Sequence, residues 1–543
     1  MPVTLNMVRR RVAAGLTTLL VLAPAHAHFG PIPLSLKGVP TPPVPGLIDG
    51  PAPIVVDVEK AIALGKALFW DINVGSDGMA CASCHFHAGA DSRTRNQLAP
   101  GGGRMLAVDA YFDSLPDGNR AAPNHVLRRR DFPLQRTPDP LNPVAPITHE
   151  SDDTVGSAGT FKAAFEDVAW LGPAADACRH VADPVFHLGA RSTRQVVPRN
   201  APTVINAVFN HRNFWDGRAN NVFNGSSPWG DRDPHAGVWV DDAGTLVKQR
   251  LHLINSSLAS QAITPPTNAV EMSCSGRRFA DLGRKLMWRR PLEQQFVHPE
   301  DSALGAYSMN RGAHPRRGLS TRYYWLVRQA FDSRYWRSTQ RGGELGEPVS
   351  ADGMRPVPYD QFEANFAMFF AIAIQLYEST LVSDDAPFDR SAVDAEGLPV
   401  DLSPQALEGL AEFRVAHCSL CHIGPLLTAA AIETNAALAR THPAAFNNQA
   451  FAISTTRNVV TRMAVKHDDG AGSTFGAAAI IDTGFSGNGV TRAAWDIGLG
   501  AHDPFGNPLS FARQYLGLLA GDPGAVVDAA VREVRPCDFD TPL

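Results

Sequence analysis

Two distant stretches of this chain lead, through a predicted helix, into the same short polar signature. In VEKAIALGKALFW (58–70) the apolar residues Val58, Ala61, Ile62, Leu64, Ala67 and Leu68 recur every three or four positions, the spacing of one helical face. A second helix is predicted from LSPQALEGLAEFRVA (402–416), where Ser403 is a good N-cap and Pro404 suits the first turn. FAMFFAIAIQLY (366–377) is apolar on nearly every side and carries Gln375, which predicts a buried core helix within a longer one over roughly 358–380. Strand signals are few and short, AGVWV (236–240) among them, and stretches such as APGGGRM, SPWGDRDPHAG and HPRRG carry turn chemistry. Residues 28–57 are Pro-rich and read as an extended strap over the surface. The pattern predicts a mainly α protein with long loop insertions.

Composition narrows the class. At 543 residues the chain exceeds one ordinary domain, and 44% apolar with 19% charged residues describes a globular protein with a substantial core. A formal charge of −5 and no basic run argue against nucleic-acid binding. Residues 1–27 have the form of an export signal: a basic start in MVRRR, the apolar VAAGLTTLLVLAPA, and Ala25-His26-Ala27 for cleavage. About 14 apolar residues are too few to span a bilayer, so no transmembrane anchor is expected after cleavage. The expected destination is the periplasm or the cell surface.

The polar signature is a Cys-x-x-Cys-His, present in MACASCHFHAGAD (79–91) and again in HCSLCHIGPLLT (417–428). A zinc site would need four ligands, and a redox dithiol has no use for the histidine. In c-type haem attachment every residue has a separate role. Two thiols form thioethers to the porphyrin, which sets the adjoining imidazole beneath the iron. Two copies in an exported chain, each prefaced by a helix, point to two covalently bound haem c groups. Cys81, Cys84, Cys418 and Cys421 are the attachment residues, and His85 and His422 the iron ligands. His87 is read as a surface residue. Three of the seven cysteines remain, Cys178, Cys274 and Cys537, enough for one bridge whose pairing stays open.

Several blocks then carry a resemblance: LGKALFWDINVGSDGMACASCH (64–85), RNAPTVINAVFNHRNFWDGRA (199–219), TPPTNAVEM (264–272), CSLCHIGPLLT (418–428) and DTGFSGNGVTRAAWDIGLGAHDPFGNPLSFARQY (482–515). Together they resemble the bacterial di-haem cytochrome c peroxidase family, which includes MauG-type enzymes, and are nearest to its long surface-associated members. The resemblance implies two cytochrome-c-like haem domains, a peroxidatic one over 58–355 and an electron-transfer one over 356–543. It implies reduction of hydrogen peroxide to water with electrons from a small cytochrome or cupredoxin. Glu271 would be the acid/base carboxylate, with Pro265 six residues before it as in the family's pocket. Trp215 would carry electrons between the haems, Arg218 would lie near a propionate, and Asn200 would offer an oxygen to a calcium ion.

Two departures qualify that picture. Position 101, where many family members carry a displaceable distal histidine, is glycine, and no histidine occurs between His87 and His125. The first haem is therefore expected to accept peroxide without reductive activation. The family's final segment, with the second haem's further ligand, has no counterpart after DPFGNPLS, and Met463 and Tyr515 are the substitutes the sequence offers. Rival expectations are a MauG-like enzyme that oxidises a partner protein, and a non-enzymatic electron carrier or surface copper-response protein.

Overall fold

The computed structural model describes residues 30–100, 111–142, 144–168, 175–348, 357–416, 418–448, 451–452, 457–467, 474–485 and 501–535. The expected export signal, Gly101 and Cys537 lie outside the described residues, as does the side chain of Met463.

The helices are α1 (Val58–Trp70), α2 (Ser257–Ala262), α3 (Phe279–Leu286), α4 (Tyr323–Ala330), α5 (Gln361–Ala364), α6 (Phe366–Glu378), α7 (Pro387–Arg390), α8 (Pro404–Val415) and α9 (Ile432–Thr441), with shorter ones between and Phe511–Leu519 near the end. Helix outweighs strand, 29% to 13%, and the strands among the described residues form two-stranded antiparallel sheets. AGVWV is one of them: Val238–Asp242 pairs with Thr245–Gln249.

α1 starts where Asp57 caps it, its carboxylate accepting from the Lys60 amide at 3.0 Å. Its apolar stripe buries Ala61, Leu64, Ala67, Leu68 and Phe69 against α4 and α6. α1 and α6 touch backbone to backbone at Gly65, where a Cβ would stand 1.9 Å from the Ala373 carbonyl oxygen. The predicted 358–380 helix is two pieces. Asn365 breaks it and donates its side-chain amide to the carbonyls of Trp239 and Tyr335 at 2.7 and 2.8 Å. α6 is buried along almost its whole length, and Gln375 is satisfied by accepting from the Ala259 amide and donating to Ser256.

Residues 30–57 run without helix or strand and touch the ends of two helices far apart in sequence. Gly30 donates to the Arg414 carbonyl at the end of α8, and Val56 donates to the Ala330 carbonyl at the end of α4. The region after His85 contains the hairpin Ala163–Asp167 with Ala177–His180. Two of the three leftover cysteines are paired: Cys178 is bonded to Cys274. The stretch 455–470 contributes to the longest hairpin, Val460–His467 with Thr474–Asp482. That hairpin and Phe511–Leu519 are tied to the rest by buried ion pairs, Arg212 to Asp482 at 2.8 Å and Arg232 to both Asp503 and Asp528.

Candidate haem sites

α1 ends at Asp71, and the chain turns back so that Cys81–Ser83 forms a single 3-10 turn beneath it. That turn sets Cys81, Cys84 and His85 on one short arc, with the His85 ring 6.3 Å from that of Phe69. The His85 Nδ1 lies 2.7 Å from the Pro202 carbonyl oxygen. A carbonyl can only accept, so Nδ1 carries the proton and Nε2 is left with its lone pair, the form that binds a metal. Burial depresses the basicity of His85, partly offset by the Pro202 carbonyl, and keeps the ring neutral.

The second motif repeats the arrangement. Cys418–Leu420 is again a 3-10 turn at the end of a helix, and the His422 Nδ1 donates to the Leu427 carbonyl at 2.9 Å. Ser403 caps α8, its hydroxyl accepting from the Ala406 amide at 3.2 Å. The two sites differ in cover. Cys81 and Cys84 are half-buried, whereas Cys418 and Cys421 are exposed and α8 buries none of its side chains.

Glu271 follows the short turn Pro265–Thr267, and the Asn268 carboxamide oxygen receives the amides of Val270 and Glu271. Glu271 is half-buried as a residue, but its Oε2 is shut from solvent and has no hydrogen-bond partner. Burial raises this carboxyl above its ordinary value, with the Arg218 guanidinium opposing. Its charge bears on both Cys81 and Cys84, which sets the carboxylate in the neighbourhood of the first Cys-x-x-Cys-His turn. These residues fit a haem: an iron-ready imidazole, two thiols on the same arc, and a buried, orphaned carboxylate oxygen nearby.

Residues 172–306 match the family model described as di-haem cytochrome c peroxidase. That segment of the chain is similar to the family. The cytochrome c551 peroxidase of Pseudomonas aeruginosa is 27% identical over 227 residues, a match that covers 42% of this chain and 37% of that relative. The matched family segment contains Asn200, Trp215, Arg218 and Glu271 but neither attachment motif.

The remaining residues fall as follows. Trp215 is 39% exposed and lies under the Arg199 guanidinium, 3.9 Å from the ring centre. Arg218 pairs with Asp216 at 3.3 Å, lies over Phe214, and is the cation whose charge reaches Glu271. Asn200 is exposed, donates to the Asp91 carbonyl at 3.0 Å and faces the Ser157 hydroxyl at 3.5 Å. The carboxylate trio close enough to share a cation among the described residues is Asp113, Asp152 and Asp153, in the insertion. His87 is exposed, as the sequence implied. Tyr515 is buried in the core formed with Val459, Val460 and Val526.

Sequence reasoning missed two parts of the first site. The Pro202 carbonyl that orients His85 lay inside a block noted only for resemblance, and a backbone oxygen leaves no trace in a residue pattern. Glu378, buried at the end of α6, carries a carboxyl pushed up to about 8 by burial, and its charge raises the Cys81 thiol. An acid closing an otherwise apolar helix was the available signal.

Proposed function

We propose that this chain is a di-haem c-type peroxidase that reduces hydrogen peroxide to water with electrons from a small redox protein. Cys81, Cys84 and His85 would hold the first haem, and Cys418, Cys421 and His422 the second. Bound there, haem supplies an iron that accepts peroxide at the first site and relays electrons at the second. The chain's own contribution is proton handling and orientation. The hydrogen bond to Pro202 fixes the His85 ring and tautomer, and Leu427 does the same for His422.

Glu271 takes a proton from peroxide at Oε2 and returns it to the departing oxygen, as a raised carboxyl pKa favours. Trp215, with Arg199 on its face, is the intervening stop for electrons. The observation that carries the reading is Glu271 Oε2, sealed from water and unpartnered, near the first Cys-x-x-Cys-His turn. No helix among the described residues is long and apolar enough to cross a membrane.

The test is stopped-flow absorbance of the holoprotein mixed with peroxide, with and without prior half-reduction. Glu271→Gln should slow the peroxide step by roughly a hundredfold or more. A full peroxide response with poor turnover of a reduced cytochrome would move the reading to partner-protein oxidation. No response at all would leave an electron carrier.

A further inference from the structure

Residues 156–160 (GSAGT), deep in the insertion that follows the first attachment motif, pass between that motif and the segment bearing Glu271. On one side the Ala158 carbonyl oxygen lies 3.6 Å from the Cys84 Sγ and 3.3 Å from Arg93, itself 3.6 Å from the same sulfur. On the other side Thr160, 1% exposed, donates its amide to the Val270 carbonyl at 2.8 Å. The Thr160 hydroxyl stands 3.0, 3.2 and 3.3 Å from the carbonyls of Ala269, Val270 and Ser273. Gln195 adds its side-chain amide to Ala269 at 3.0 Å and is paired through its backbone to Gly159 and Thr160.

The fit leaves no slack. A Cβ on Gly159 would lie 1.9 Å from the Val270 carbonyl oxygen and 2.9 Å from that of Glu271. Just beyond, Ser275 exchanges backbone hydrogen bonds with Ala163 and Phe165, and Cys274 is bonded to Cys178. Arg277 and Asp176, fully buried and paired at 2.7 Å, close the far end, with Arg277 also donating to the Pro266 carbonyl. Any other course for residues 265–277 would strand buried carbonyls without donors.

We propose that Gly159, Thr160 and Gln195, locked by the Cys178–Cys274 disulfide, are positioning residues that hold the Glu271 loop rigidly over the first haem site. This rests on the proposed role of Glu271. A proton-handling group clamped by the insertion is held in one place, and the insertion is what holds it.

The test uses the holoprotein with Gly159→Ala, Thr160→Val, Thr160→Ser and Glu271→Gln. It has three readouts: hydrogen exchange of the amides over 265–277 by mass spectrometry, the resting ferric spectrum, and the pH profile of the peroxide step. Gly159→Ala and Thr160→Val should speed exchange over 265–277 by about tenfold or more. They should slow the peroxide step by up to about a hundredfold, the scale of a misplaced catalytic group, and move the limb of the pH profile that Glu271 and Arg218 set. Thr160→Ser, which keeps the hydroxyl, should restore all three. Reducing the disulfide in the folded holoprotein should shift exchange the same way, and this arm with Thr160→Val decides the matter if Gly159→Ala fails to accumulate. Unchanged exchange in these variants overturns the clamp. So does faster exchange with an unaltered peroxide step and pH limb while Glu271→Gln still slows the reaction. If Glu271→Gln has no effect, the reading of the site falls, and the exchange data still decide the clamp.

Discussion

Single side chains set the chemistry of the first pocket, and Glu378 shows how one can be tested apart from activity. Its folded pKa of about 8 lies well above the 4.5 of an ordinary glutamate, because burial disfavours the charged form. The native protein therefore keeps a proton that the unfolded chain gives up. Its contribution is intact below about pH 4.5 and is lost as the pH rises through 8. Glu378→Gln should flatten that slope, and its stability advantage over the parent should grow to at most about 4 kcal/mol by pH 8. Denaturant midpoints of the two holoproteins across this range measure it. A parallel pH trend in both would show that Glu378 ionises freely in the folded state. The same scale shows where sequence reading stops. The Cys-x-x-Cys-His spacing announced both attachment turns, but nothing in Pro202 or Leu427 marks their carbonyls as imidazole partners.

At the scale of elements, two helices that look alike in sequence are unlike in their surroundings. α1 is packed against α4 and α6, whereas α8 buries no side chain and ends at exposed thiols. The porphyrin is what the inner face of α8 would rest on. When the protein is produced without attached haem, α8 amides should exchange faster than those of α1 by about a hundredfold or more. Haem attachment should close most of that gap; mass-spectrometric exchange on both forms is the measurement, and equal protection in the haem-free form would contradict it. Both helices and the Ser403 cap were legible because capping and periodicity are local. The break at Asn365 was not, because it is driven by the carbonyls of Trp239 and Tyr335, far off in sequence. The hairpin Val460–His467 with Thr474–Asp482 escaped for a similar reason: its alternation is loose, and pairing with a partner strand defines it.

For the molecule as a whole, buried charge joins regions that the sequence leaves unconnected. Burial alone would raise the Asp528 carboxyl, but Arg232, with Gln514 and Asn220 donating to it, brings it below the ordinary value. A depressed acid stabilises above its unfolded pKa, and that share is lost as the pH falls through the folded value. Asp528→Asn should therefore cost about 3 kcal/mol near neutrality by leaving Arg232 without its main partner. The difference from the parent should shrink under acid, and urea midpoints at neutral and acidic pH report both effects. The sequence made legible the predominance of helix over strand and the segment that matches the family model. It could not reveal that the insertion is part of the first site, since its contacts with 265–277 join segments brought together only by folding.

The strand over Cys84 and the bridge behind it carry a consequence for biosynthesis. Once residues 156–160 have settled and Cys178 has joined Cys274, the Ala158 carbonyl stands against the Cys84 sulfur that the proposed haem attachment would use. Under that proposal, prosthetic-group ligation at the first motif would come before oxidation of that cysteine pair, and a cell that oxidises too early would leave this chain empty.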